Sequence, residues 1–482
     1  MDAPKSRTAA PEPVDLTDVQ GNILRGYRKA MVRHLVARVV DASQARAWIG
    51  ATVGPDRSIA PAITDAAHWG ERPPEVCFNL GITFAGMQAL GVPDSATHSF
   101  PEAYRQGMAA RATKIGDWGP SSPEHWQPWF RDSDSVHLIL SLHANTAELL
   151  DRFETAMMSG LAGRALTLRG RNEGAAFHGD EVHFGYRDNI SQPRFAGISP
   201  PGKYDDQPTA PLGTVLLGYP TALEQLRWTL PDPPVLGING AFNAFRVLEQ
   251  DVVAFEAFLD RAAEQLLGSP VAEELLPVGM DRGDGARPTR RAWMRELVAA
   301  KLLGRWRTGT PLALSPHDPS PQPPVSDTAF DFLDDATGLK CPIGSHARRA
   351  NPRSAKIVQR VANHTRRLVR RGIPYGPRFD AGHPDGIERG LLGNFLCADL
   401  SAQFEAIQYD WINLGLQDPR ITGSNDPILG DNQEDASWFD VTTRTGSVRL
   451  RGFPRFIRTR GGAYTFLPSI SALRWIGSTQ AR

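Results

Sequence analysis

The feature that most constrains this chain is a local pattern that recurs in both halves: an apolar strand, a polar break, then an amphipathic helix. In the first half, His137–His143 (HLILSLH) reads as a buried strand. Asn145-Thr146 then caps a helix that carries Leu149, Leu150, Phe153 and Met157 at helical spacing. In the second half Asn394–Cys397 takes the place of the strand, and the helix after it presents Leu400, Phe404, Ile407 and Trp411 on one face. Further strands are expected at His34–Val40, Cys77–Phe84, Thr214–Gly218 and Ala241–Leu248, with a helix over Val252–Leu267. Strands alternating with helices in two halves describe an α+β fold built as two related sheets, each covered by helices. Periodicity leaves the strand order open.

A Pro/Gly-rich run, Ser199–Gly213, joins the halves, a second break falls at Pro231-Asp232-Pro233-Pro234, and a proline-rich loop covers Thr308–Ser326. Loops this long inside a compact body usually carry function or cover a site. Residues 1–13 read as a polar, disordered tail without an apolar leader or twin arginine, and no later run reaches the roughly 18 apolar residues of a membrane span. Three cysteines, Cys77, Cys341 and Cys397, are too few for a disulfide framework. A cytoplasmic, reducing location is therefore expected.

Charge narrows the partners. The chain has 53 basic and 53 acidic residues, so no global excess draws it to nucleic acid or to an anionic membrane. Only seven of the cations are lysine. Arginine suits fixed recognition of anions. Motifs for zinc proteases, phosphate-binding loops, dinucleotide folds and serine hydrolases are missing. Of twelve histidines, His34, His137 and His143 fall on apolar strands, where core packing is the ordinary role, and His98, His125, His317 and His383 fall in polar loops.

Three segments stand out. Phe184–Arg194 (FGYRDNISQPR) is a rigid loop presenting one carboxylate, Asp188, which alone could equally cap a turn. Cys341–Arg353 (CPIGSHARRANPR) places His346 after a small turn with Arg348, Arg349 and Arg353 close behind. His364–Pro377 (HTRRLVRRGIPYGP) sets four arginines ahead of a Gly-Ile-Pro-Tyr-Gly turn. With Asp18–Gly26 (DVQGNILRG), Asp399–Asn413 and Gly461–Leu473, these segments resemble, in order, the motifs of the dye-decolourising peroxidases, closest to the long-chain subgroup.

That resemblance implies two ferredoxin-like domains, at 14–212 and 213–482, the first carrying the distal aspartate loop and the second binding haem. It implies a non-covalent haem b (iron protoporphyrin IX) with His346 as proximal iron ligand and Asp188 as distal acid–base group. Arg370 is the distal arginine, with Arg367 as the fallback in the repetitive run RRLVRR. The imidazole needs a carboxylate partner, for which Asp399 and Glu405 are the candidates. The arginines near His346 could meet the haem propionates. Tyr375 matches a surface electron-transfer position; Trp411, Tyr409 and Trp438 are weaker candidates, for which packing roles compete. The implied activity is oxidation of phenolic or dye-like donors by hydrogen peroxide in one-electron steps, in an oligomer of unspecified size. The alternative is a haem-binding carrier or sensor with little turnover. Two departures motivate it: Asn189 stands where the family's GxxDG motif has glycine, and Gly393 where it has a pocket aromatic. If position 189 needs a positive φ, asparagine is the least costly substitute.

Overall fold

The computed structural model describes residues 13–479, apart from 57, 59, 200–206, 208, 224, 225, 282 and 354–365. The expected N-terminal tail, much of the Ser199–Gly213 run and His364 thus lie outside the described residues. Among the described residues ten strands form: β1 (Met31–Val39), β2 (Cys77–Ile82), β3 (Leu138–Ala144), β4 (Leu166–Ala175), β5 (Ala241–Gln250), β6 (Val369–Tyr375), β7 (Gly390–Cys397), β8 (Trp438–Thr442), β9 (Ser447–Arg451) and β10 (Ile457–Leu467). Strands β8 and β9 pair as a separate hairpin; the other eight make one antiparallel sheet in the order β4-β1-β3-β2-β10-β5-β7-β6.

That order contains the same motif twice. The first half runs 4-1-3-2, and β5, β6, β7 and β10, counted as strands one to four, repeat 4-1-3-2. Helices α1 (Ala42–Thr52) and α2 (Ala147–Ser159) cross over in the first half. In the second, α3 (Val252–Leu267) and α4 (Arg287–Leu303) precede β6, and two wide helical segments, Leu400–Glu405 and Ile407–Asn413, follow β7. The fold is therefore α+β with the β-α-β-β-α-β plan of ferredoxin-like units.

The halves join where a single pair, Phe466 and Ile82, bridges β10 and β2. The side chain of Gln20 reinforces this thin joint. Its Nε2 donates to the carbonyls of Leu80 (2.9 Å) and Pro468 (3.0 Å), and its Oε1 accepts the Leu80 amide. The sheet then curls until its edges touch: a Cβ on Gly174 of β4 would lie 2.6 Å from Ile373 Cγ2 and 2.8 Å from the Pro374 carbonyl of β6. The result is a barrel whose first and last strands meet without pairing. Strand alternation points His34, Asn79, Ser141, Asn172, Asn243, Asn394 and Thr465 inward as a polar layer. Asn243 donates to Asn394 Oδ1 (2.9 Å), and His34 Nδ1 lies 2.9 Å from Ser141 Oγ.

Local chemistry explains the regular elements. The helix over Val252–Leu267 has the expected bounds: Asp251 caps it by accepting the Ala254 amide, and Phe255, Phe258, Leu259, Ala262, Ala263 and Leu266 are buried at helical spacing. Thr146 caps α2 as expected. The expected strand at Thr214–Gly218 is absent. Leu212–Thr214 is a 3-10 turn, Val215 and Leu216 are buried in a side cluster and Leu217 in the main core, all without a ladder, so burial alone accounts for their apolar character. The expected Gly-Ile-Pro-Tyr-Gly turn is also corrected, because Ile373–Tyr375 completes β6. Proline is tolerated there because β6 is an edge strand. No helix among the described residues is long and apolar enough to cross a membrane.

Candidate active site

The Asp188 loop is fixed by aromatic anchors. Phe184 stacks on Phe255 of α3 at 4.3 Å, and Tyr186 donates its hydroxyl to the Ala299 carbonyl of α4 (2.7 Å). These anchors bind a loop that follows the first half to the helices of the second. Arg187 then ties the loop outward, its amide donating to the Arg307 carbonyl and its guanidinium meeting Asp327 at 2.7 Å. The Asp188 amide donates to the Asp180 carbonyl (2.8 Å). Asn189 takes φ +58°, the left-handed conformation expected if glycine belongs at this position. The first departure from the motif is thus conformationally accommodated.

Asp188 reaches the outer face of β6. A Cβ on Gly372 would lie 3.9 Å from Asp188 Oδ2. Arg370, two residues earlier, shares that face, and its Nη2 donates to the Ser191 carbonyl (3.3 Å). Arg367 lies before β6 begins, and its carbonyl accepts from Gln403 Nε2 (2.8 Å). Across the ladder Gly372 faces Gly393, and Arg370 faces Phe395. A Cβ on Gly393 would meet the Phe395 ring at 2.8 Å. The aromatic ring missing at 393 is therefore supplied from two residues further on, which answers the second departure.

His346 opens α5 (His346–Ala350), held by a closed turn. Ser345 Oγ donates to the Pro342 carbonyl, and Arg349 Nε donates to the Gly344 carbonyl. The imidazole's carboxylate partner is neither expected candidate. His346 Nδ1 lies 3.0 Å from Oδ2 of Asp426, which is fully buried and 80 residues away in sequence. Oδ1 of the same carboxylate accepts the amides of Ile428 (2.9 Å) and Leu429 (2.8 Å). Burial raises the Asp426 carboxyl, but the charge and hydrogen bond of His346, then the Arg349 guanidinium and the Leu429 amide, outweigh it and hold it below its ordinary value. Asp399 instead caps the helix after β7, accepting the Ala402 amide (2.7 Å). Glu405 pairs with Arg111, lies 3.4 Å from Lys114 Nζ and accepts the Tyr464 hydroxyl. Both carboxylates are held by local partners, which is why neither serves His346.

The arginines behind His346 also serve the protein itself. Arg348 meets Asp335 and the Cys341 carbonyl, Arg349 meets the carbonyls of Gly344, Trp411 and Ser424, and Arg353 meets those of Thr328 and Phe330. One segment touches both sides of the site. A Cβ on Gly304 would lie 3.3 Å from Ala347 Cβ, the neighbour of His346. Arg305 donates to the Asp327 carbonyl beside Arg187, and burial, countered by Asp327 and Cys341 and reinforced by the nearby Arg370 and Arg187, brings its pKa down to about 10. Of the aromatic candidates, Trp411 is core, Tyr409 is exposed, Trp438 is half-buried under Arg449, and Tyr375 donates its hydroxyl to Glu388 (3.0 Å).

Residues 18–175 match the model of the DyP dimeric alpha+beta barrel domain, in agreement with the curled sheet. The chain is 27% identical to dye-decolorizing peroxidase msp1 of Mycetinis scorodonius over 96% of its own length and 88% of the relative's. It is 29% identical to multifunctional dye peroxidase DyP2 of an Amycolatopsis species, over 95% of each chain. It superposes on an ancestral D-type dye-decolorizing peroxidase with a TM-score of 0.77 at 26% identity, over 97% of this chain and 100% of that one. Along nearly its whole length this chain is similar to dye-decolourising peroxidases. A further family structure, similar at a TM-score of 0.77 and 26% identity over 96% and 100% of the two chains, is a complex with 2,6-dimethoxyphenol.

The haem implied by these relatives needs an imidazole donor and an open face, and both can be named in this chain. His346 Nδ1 is committed to a buried anion, while Nε2 has no hydrogen-bond partner among the described residues and the side chain keeps 22% exposure. An imidazole oriented in this way is the donor a haem iron takes. Gly372 leaves the sheet surface low beside Asp188 and Arg370. The residues fit the group.

Proposed function

We propose that this protein is a haem peroxidase in which His346 is the proximal ligand of a non-covalently held haem b, with Asp188 and Arg370 as the distal pair. The observation that carries the reading is the Asp188 carboxylate beside Gly372 on the face of β6 that also bears Arg370. His346 Nε2 would hold haem, with Asp426 stabilising positive charge on the ring. When bound, haem supplies a redox-active iron at which the O–O bond of hydrogen peroxide can break. Asp188 takes the proton from one peroxide oxygen and returns it to the oxygen that leaves as water. Arg370 stabilises charge developing on the leaving oxygen. Two aromatic donors then give up one electron and one proton each, so that one peroxide and two donors yield two waters and two donor radicals. Phenolic and dye-like donors are supported by the 2,6-dimethoxyphenol complex and the dye-oxidising names of relatives. The domains proposed at 14–212 and 213–482 put the distal loop in the first and the other site residues in the second.

The carrier or sensor alternative drew on Asn189 and Gly393, and both substitutions are accommodated locally. The test is rapid mixing with one equivalent of peroxide. Asp188→Asn and Arg370→Leu should each slow the first spectral change by about 10²–10⁴-fold, the usual range for losing a proton-transfer group. Unchanged rates in both variants would remove the distal assignment.

A further inference from the structure

We infer that Gln192 is a positioning residue that fixes Arg370 against Asp188; the inference rests on the distal assignment above. Strand β6 is a sheet edge, so the backbone groups on its outer side have no neighbouring strand to bond. At Arg370 the side-chain amide of Gln192 takes that place. Its Nε2 donates to the Arg370 carbonyl (2.8 Å) and its Oε1 accepts the Arg370 amide (3.1 Å). The same stretch of loop holds the other end of the residue, because the Ser191 carbonyl accepts from the guanidinium. Arg370 is therefore gripped at backbone and head by residues three and four places after Asp188. Pro193, which is buried, biases Gln192 toward an extended backbone. A second clip lies at the far end of the strand, where His183 Nε2 donates to the Tyr375 carbonyl (2.8 Å). Between the clips, Asp188 faces Gly372.

Two physical arguments make this more than edge protection. A one-residue slip of β6 moves a side chain about 3.3 Å and to the other face, which would replace Arg370 by Val369 or Arg371. The site is also rich in like charge, with Arg370 and Arg187 both close enough to Arg305 to disfavour its charge. A neutral amide that both donates and accepts is the side chain that can grip a peptide group at two points without adding to that charge.

The test compares Gln192→Ala and Gln192→Glu in the haem-loaded enzyme. Gln192→Ala should lower kcat/KM for peroxide about 10–100-fold, the scale of a misplaced catalytic group, while KM for the aromatic donor stays unchanged. In haem-free protein, hydrogen exchange over 367–375 should accelerate. Gln192→Glu, as a carboxylate, offers no donor to the Arg370 carbonyl; protonated, it again both donates and accepts. Its rate relative to wild type should therefore rise toward one as pH falls through the range of about 4–5 where a glutamate protonates. A peroxide rate within about twofold of wild type for Gln192→Ala, with unchanged exchange, would overturn the inference if Asp188→Asn and Arg370→Leu are impaired. If those two variants keep their rates, the distal reading fails first and the positioning inference falls with it.

Discussion

At the scale of single residues, the site depends on side chains that bond groups distant in sequence. Asp426 is the clearest case. Its carboxylate takes two amides of its own turn and the His346 imidazole, a set that no spacing in the sequence reveals because the partners are 80 residues apart. In the sequence, Asn425-Asp426-Pro427 reads as an ordinary turn, whereas Asp399 and Glu405 sit beside a helix start and attract attention. Asp426→Asn should lower haem affinity about 10–100-fold and raise the ferric–ferrous midpoint potential, since the amide keeps the shape but withdraws the anion that adds electron density to the imidazole. Haem titration followed at the Soret band, with spectroelectrochemistry, checks both. His346→Ala should lose the axial nitrogen altogether, and unchanged ligation in that variant would sink the proximal assignment.

At the scale of elements, close packing sets what can be substituted. Helix α1 meets the C-terminal helix α6 (Ile470–Ser478) at two glycines. The contact is asymmetric: a Cβ on Gly477 would lie 2.7 Å from Gly50 Cα, whereas a Cβ on Gly50 would find Gly477 Cα at an ordinary 3.6 Å. Gly477→Ala should therefore destabilise by about 1–3 kcal/mol through overpacking. Gly50→Ala should be neutral or gain up to about 1 kcal/mol from helix propensity. Denaturant midpoints of the two variants would decide it, and equal effects would contradict the asymmetry. Most elements could be read from local pattern, with β3, β5, α2 and α3 matching to within a few residues. Strand β6 could not, since its arginines resemble a surface patch and its Gly-Ile-Pro-Tyr-Gly end resembles a turn. Its identity as a strand comes from pairing with β7, and its tolerance of Pro374 from lying at the edge.

At the scale of the whole molecule, two ferredoxin-like halves close into a barrel with a polar interior layer. Within it, burial lowers His34 to about 3, with a further push from His143; burial and Arg371 lower His143 to about 4. Both are depressed from an unfolded value near 6.5, so the unfolded chain binds protons first as pH falls. Their stability contribution is complete above about pH 6.5 and is lost progressively down to about pH 3–4, at up to about 1.4 kcal/mol per pH unit for each. Urea titrations across pH 7.5 to 5 should show this decline, and His34→Gln should flatten it. A variant with the wild-type slope would show that His34 does not carry the effect.

The sequence by itself determined the strand–helix alternation and the cap at Thr146 and, through its motifs, singled out His346, Asp188 and Arg370 as candidates. Those features are legible because periodicity, capping and short motifs act within a few residues. Tertiary structure alone decided that the two halves share one curled sheet, that Phe395 fills the place of a residue at 393, that Asp426 holds His346, and that Gln192 grips Arg370. Each of these joins groups distant in sequence or turns on which face of a strand a side chain occupies. Strand pairing and barrel closure fix those relations, and local sequence does not encode them.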